Sequence, residues 1–152
     1  MKLPANQEIV IEGNTMEIKA VLNPAGTSMI EMCVLRSTDK LKYMRIVLYP
    51  ERGLAHSQRF DSPQRCESLI SIDSSFSSTL PDVKCRAPES APVIIKKGEY
   101  LDLRVFIDRS VVEVFVNDRQ CIAVRVYPGR EDSVGVSLRS QGKDAQLMSL
   151  DA

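Results

Sequence analysis

Residues 101–127, LDLRVFIDRSVVEVFVNDRQCIAVRVY, constrain the fold more than any other part of the chain. Three apolar segments are separated by two short polar turns, Asp108-Arg109-Ser110 and Asn117-Asp118-Arg119. Strands of about 5–8 residues joined by turns this short form consecutive antiparallel hairpins. Side chains alternate along a strand, so Leu101, Leu103, Val105 and Ile107 fall on one face. Asp102, Arg104, Phe106 and Asp108 fall on the other. Val111–Val116 is nearly all apolar. It is expected as a central strand, paired on both edges and covered on most of both faces. Glu113 must then lie at a rim or pair with a cation such as Arg104 or Arg125.

Period-two alternation extends over most of the remaining chain. Glu8–Glu12 reads as a short strand. Met16, Ile18, Ala20 and Leu22 alternate with Glu17, Lys19 and Val21. Ile30, Met32 and Val34 alternate with Glu31, Cys33 and Leu35, and Met44, Ile46 and Leu48 with Arg45, Val47 and Tyr49. Turn residues at 23–26, 37–40 and 50–53 punctuate these runs. Leu69, Ile72, Val93–Ile95, Val134–Leu138 and Leu147–Leu150 add shorter candidates, and no helical stripe is sustained anywhere. About eleven or twelve short strands predict an all-β fold, a β-sandwich of two antiparallel sheets with five or six strands each. Residues 74–92, rich in Ser and Pro, are expected as a loop that is functional, mobile or wrapped around a sheet edge. No internal repeat or domain boundary is visible, so residues 1–152 read as one domain.

Charge and composition narrow the function. The 20 basic and 20 acidic residues cancel. Without a Lys/Arg block, neither nucleic acid nor an anionic membrane is an expected partner. No apolar run approaches the roughly 20 residues that span a bilayer. The N-terminus lacks an apolar core long enough for a signal peptide, and the compartment is not readable from it. Cys33, Cys66, Cys85 and Cys121 are too far apart for a C-x-x-C pair, and His56 is the one histidine. No structural zinc site, metal or cofactor is therefore expected. The four cysteines allow two disulfides in three pairings; the favoured state is four reduced, mostly buried thiols.

Chemistry-bearing residues are sparse. His56 sits in a polar loop with no G-x-S-x-G near any serine, which argues for a solvated side chain over a catalytic base. Glu31, Asp73, Asp102, Asp108 and Glu113 are the carboxylates from which a glycosidase pair could be drawn. Their blander role is as surface and turn residues. Asp108 and Ser110 at a hairpin corner are expected to accept hydrogen bonds from the following amides, and Asn117-Asp118 tolerates the positive φ of tight hairpins. A sugar-binding module wants an exposed aromatic platform. Tyr43, Tyr49, Tyr100 and Tyr127 are available, but each lies in or beside a strand, where packing is its expected role.

The segment from Phe106 through Asn117, with the pattern F-x-D-x-S-x-x-E-x-F and a following Asn, resembles the C-terminal domain of family 32 glycoside hydrolases. These are the β-fructofuranosidases, including invertases, levanases and inulinases. LISIDSSFS at 69–77, VRVYP at 124–128 and SVGVS at 133–137 also fit, and residues 8–49 agree more loosely. The resemblance implies a sandwich that follows a catalytic five-bladed β-propeller. The propeller's N-D-P, R-D-P and E-C motifs do not occur: Asn117-Asp118 is followed by Arg119, and Cys66-Glu67 has the reverse order. No catalytic residue is carried over. Phe106, Asp108, Ser110, Glu113, Phe115 and Asn117 are expected to be structural. The chain reads as the non-catalytic C-terminal module of a fructan- or sucrose-cleaving enzyme. Its expected partner is the propeller of the same protein, with roles in oligomerisation or fructan binding open. A stand-alone carbohydrate-binding module is the alternative.

Overall fold

A computed structural model describes residues 1–24, 26–50, 67–83, 87–96 and 98–152. His56, Cys66, Cys85 and the 51–53 part of one expected turn lie outside the described residues. Twelve strands are described: β1 (Lys2–Leu3), β2 (Ile9–Glu12), β3 (Thr15–Asn23), β4 (Met29–Arg36), β5 (Met44–Tyr49), β6 (Glu67–Asp73), β7 (Glu89–Ile94), β8 (Leu101–Asp108), β9 (Val111–Val116), β10 (Gln120–Arg125), β11 (Gly135–Gln141) and β12 (Ala145–Asp151). They form two six-stranded antiparallel sheets. One has the order β1-β12-β3-β8-β9-β10 and the other β2-β11-β4-β5-β6-β7. The expected all-β sandwich is the observed fold. Residues 101–127 build three neighbouring strands of the first sheet, as their hairpin signals require.

The inner faces meet through the expected alternation. Ile18, Ala20, Leu22, Leu101, Leu103, Val105, Ile107, Val112, Val114 and Val116 of the first sheet are all buried. They share one core cluster with Ile30, Met32, Val34, Ile46, Leu48, Ile70 and Ile72 of the second. Burying such aliphatic side chains, at about 1.5–3 kcal/mol each, is the main force holding the layers together. The inner-facing Ser140 is also fully buried, and its hydroxyl donates to the Leu3 carbonyl at 3.2 Å. That bond removes the penalty of an unpaired polar group.

Three local expectations change. β9 is paired on both edges, but only Val112, Val114 and Val116 are buried; Val111 is 37% exposed, and Glu113 and Phe115 are half-buried on an open outer face. In β4 the reverse holds. Met29 through Leu35 are all buried, although the alternation puts Glu31 and Leu35 on the outer face; the burial of Cys33 is the one expected of a reduced thiol. Side chains on neighbouring strands cover the outer face there. A register shift between Gly135 and Ser137, with Leu35 at φ 50°, also turns Leu35 inward. Gly135 is needed at this bulge, since a Cβ would lie 2.8 Å from the Arg36 carbonyl oxygen. Finally, part of the expected 74–92 loop is strand. Glu89–Pro92 pairs with β6, and Pro92 is tolerated because β7 is an edge strand.

Candidate functional site

The six motif residues occupy the outer face and the two corners of β8, β9 and β10. Phe106 and Phe115 meet edge to face, with ring centroids 5.8 Å apart and planes at 87°. The Arg104 guanidinium lies 4.7 Å above the Phe106 ring, and its Nε donates to Glu17 Oε1 at 2.5 Å. Arg104 therefore does not pair with Glu113. Among the described residues Glu113 has no ion pair with Arg125 either; it stands between Phe106 and Ala123 on the sheet surface. The edge-to-face pair contributes about 0.5–1.5 kcal/mol, and the solvent-exposed cation–π contact adds little beside it.

The two corners are built differently. At the β8–β9 corner Arg109 carries a positive φ of 51°. The corner is held by backbone bonds, Arg109 N to Asn14 O and Val126 N to Ser110 O, both 2.8 Å. The side chains of Asp108 and Ser110 cap no amide among the described residues. At the β9–β10 corner Asn117 and Asp118 both have φ 50°, as a mirror-image hairpin turn demands. Asn117 also clamps the start of β8. Its Oδ1 accepts from Asp102 N and its Nδ2 donates to Tyr100 O, each at 2.9 Å. Nothing in the sequence pattern signalled this clamp, because its partners lie 15 to 17 positions away.

The candidate carboxylates are dispersed over two sheets. Asp102, Asp108 and Glu113 belong to the first sheet, Glu31 and Asp73 to the second. Asp102 pairs with Lys19 at 3.5 Å, and Asp73 accepts from Ser75. Two grooves are lined by the described residues alone. The first, about 360 Å³, lies on the outer face of the second sheet over Glu31, Cys33, Arg45 and Arg139. Its two carboxylates are both engaged, Glu31 by Arg45 and Arg139, Glu8 by Arg36 and Lys40. Burial opposes ionisation of Glu8, but the Arg36 and Lys40 contacts outweigh it and hold this carboxyl below its usual range. A glycosidase needs one carboxyl protonated as the acid and its partner free as base or nucleophile. This groove offers neither.

The second groove, about 330 Å³, lies at the end of the sandwich that collects the β2–β3 turn, the β4–β5 turn, the β8–β9 corner and residues 126–134. Arg130 ties this end together through Asp39 at 2.5 Å and Asp132 at 2.7 Å. Leu80, Tyr127 and Pro128 give the groove an apolar wall. Ser133 adds a buried hydroxyl with no hydrogen-bond partner among the described residues. Leu41 and Phe76 are exposed at the same end, and Phe76 stacks on Tyr43 with centroids 5.6 Å apart. Tyr127 and Tyr100, expected to pack, are in fact 42% and 47% exposed. Cys33 is a buried free thiol whose pKa burial pushes up to about 11; Cys121 is also free but is exposed, contrary to the expected burial. Among the described residues no three His, Cys, Asp or Glu side chains gather as a metal site.

This sandwich, with the F-x-D-x-S-x-x-E-x-F strand pair on one outer face, is an all-β domain of two six-stranded antiparallel sheets. Residues 2–152 match the family model described as glycosyl hydrolases family 32 C terminal, and the chain belongs to that family. A raffinose invertase of Escherichia coli is 52% identical over 50 residues, which is 32% of this chain and 10% of that protein. Among solved structures, fructan 1-exohydrolase IIa of Cichorium intybus superposes with a TM-score of 0.78 at 14% identity, covering 98% of this chain and 33% of that one. The exo-inulinase of Aspergillus awamori gives 0.71 at 16% identity, covering 96% and 27%. The chain thus spans a third or less of these relatives' length.

Proposed function

We propose that this chain is the non-catalytic sandwich module of an enzyme that cleaves fructans or sucrose-type sugars, and that it stabilises a catalytic propeller in the same protein. The observation that carries this is one of proportion. The family's C-terminal model takes up the whole chain, while the chain takes up only a quarter to a third of the solved enzymes it resembles. Two further features support it. Neither groove holds a free carboxylate pair. The exposed Leu41, Phe76, Leu80 and Tyr127 gather at one end, as a face that docks on another domain would require. In this reading Phe106, Asp108, Ser110, Glu113, Phe115 and Asn117 hold strands in register and touch no substrate.

The test is an assay of the isolated chain on sucrose, inulin and levan, beside the parent enzyme with and without residues 1–152. No turnover is expected from the chain alone, together with a lowered melting temperature of the parent lacking it. Turnover by the isolated chain would overturn the proposal. A second reading, a carbohydrate-binding module, draws on Tyr127, exposed on the groove wall as an aromatic shelf of the kind sugar rings stack on. It requires saturable heat with inulin or levan that Tyr127→Ala abolishes.

A further inference from the structure

We propose that the groove on the outer face of the second sheet is a binding site for a small phosphate-class oxyanion, free or carried on a sugar. Its foundation is Glu31, a carboxylate only 4% exposed in the middle of a sheet. Arg139 stands directly opposite it on β11, and Arg45 reaches it from β5 on the other side of β4. Each arginine uses its Nε for Glu31, Arg45 on Oε2 and Arg139 on Oε1. Two guanidinium groups are thereby fixed on either side of one buried carboxylate. Neither Nη of Arg139 has an acceptor among the described residues, and Arg45 Nη2 has only the weak acceptor Met29 Sδ at 3.5 Å. Both side chains remain about a third exposed, so these donors face the groove and not the core.

The donor–acceptor balance selects the ligand. Glu31 is saturated by two arginines, and Glu8 by Arg36 and Lys40. Four cations against two carboxylates leave the groove with an excess of two positive charges. Cys33 adds no negative charge, since burial keeps its thiol protonated. A neutral sugar hydroxyl needs acceptors as well as donors, and the groove's acidic acceptors are taken. An oxyanion only accepts, and the charge-assisted fork of an arginine fits its oxygens. At about 360 Å³ the space is that of a small ligand, not of a polymer chain.

The experiment is an amide and guanidinium NMR titration of the 152-residue chain at low ionic strength. The arms are inorganic phosphate, a hexose phosphate and the unphosphorylated hexose. The expected result is saturable shifts confined to Glu31, Cys33, Arg45 and Arg139, with a Kd on the order of 1 mM or tighter and no response to the hexose. Preference for the hexose phosphate over phosphate assigns the source to a phosphorylated sugar; equal binding assigns it to the free ion. Arg139→Gln, a change in a side chain about a third exposed, should weaken binding about tenfold. Glu31→Gln raises the groove's positive charge by one yet frees the two guanidinium groups, so it should also weaken binding. Tighter binding by Glu31→Gln, unsaturable shifts shared with distant Lys2 and Lys143, or equal binding of the hexose would each overturn the proposal. A melting curve on each variant separates lost binding from lost fold.

Discussion

Asn117 offers the sharpest test of the idea that the motif is scaffold. In Asn117→Ala the Oδ1 and Nδ2 bonds to Asp102 N and Tyr100 O are lost together. Each is partly accessible to water, so about 0.5–1 kcal/mol apiece is the appropriate magnitude. Position 117 also has φ 50°, where alanine, unlike asparagine, meets a penalty of about 1–2 kcal/mol. The sum is a destabilisation of roughly 2–4 kcal/mol, and at about 2–4 °C per kcal/mol for a chain of this size a fall in Tm of some 4–16 °C. Asn117→Gly separates the two contributions. It loses the same hydrogen bonds but tolerates the backbone conformation, so it should retain roughly 1 kcal/mol over alanine once glycine's larger unfolded-state entropy is allowed for. Urea and thermal unfolding of the three proteins measure this directly. An alanine variant within about 0.5 kcal/mol of wild type would refute the clamp, and with it the scaffold role assigned to this end of the motif.

Other perturbations have equally definite outcomes. Ile18→Ala, at a fully buried inner-face position, should cost about 2–5 kcal/mol, whereas Val111→Ala on the open outer face of β9 should stay within about 0.5 kcal/mol in the same denaturation assay. Glu31→Ala leaves two cations facing each other. Removing one partner of a fully buried pair costs about 3–5 kcal/mol, and because both arginines reach water the expected loss is smaller, about 1–3 kcal/mol. Hydrogen bonds from the Ser37 hydroxyl, the Leu41 amide and Arg130 lower the Asp39 carboxyl to about 2, and Arg119 with the Lys96 amide lowers Glu99 to about 2. Both folded values lie below the unfolded ones of 3.8 and 4.5. Their stabilisation is therefore complete above about pH 4.5 and drains away as the pH falls toward 2. Carboxyl NMR titrations should place both midpoints near 2, and midpoints near 4 would show that the turn contacts do not persist in solution.

The alternation of apolar residues by itself determined the architecture: two sheets, the inner-face residues and the three hairpin-linked strands of 101–127. A side-chain period of two leaves no other way to bury Leu101, Leu103, Val105 and Ile107 together. The spacing from Phe106 to Asn117 was enough to place the chain in its family. The partners of individual charges were not legible there. The sequence offered Arg104 or Arg125 to Glu113, while the structure gives Arg104 to Glu17 on β3, 87 positions away. The convergence of Arg45 and Arg139 on Glu31 was equally invisible, since it requires β11 and β5 to flank β4 in one register. Alternation reports only which face a residue occupies. Which side chains share that face, and whether a carboxylate there is solvated or clamped, depends on strand order and register across separations of up to 108 residues. Only the tertiary structure decides that.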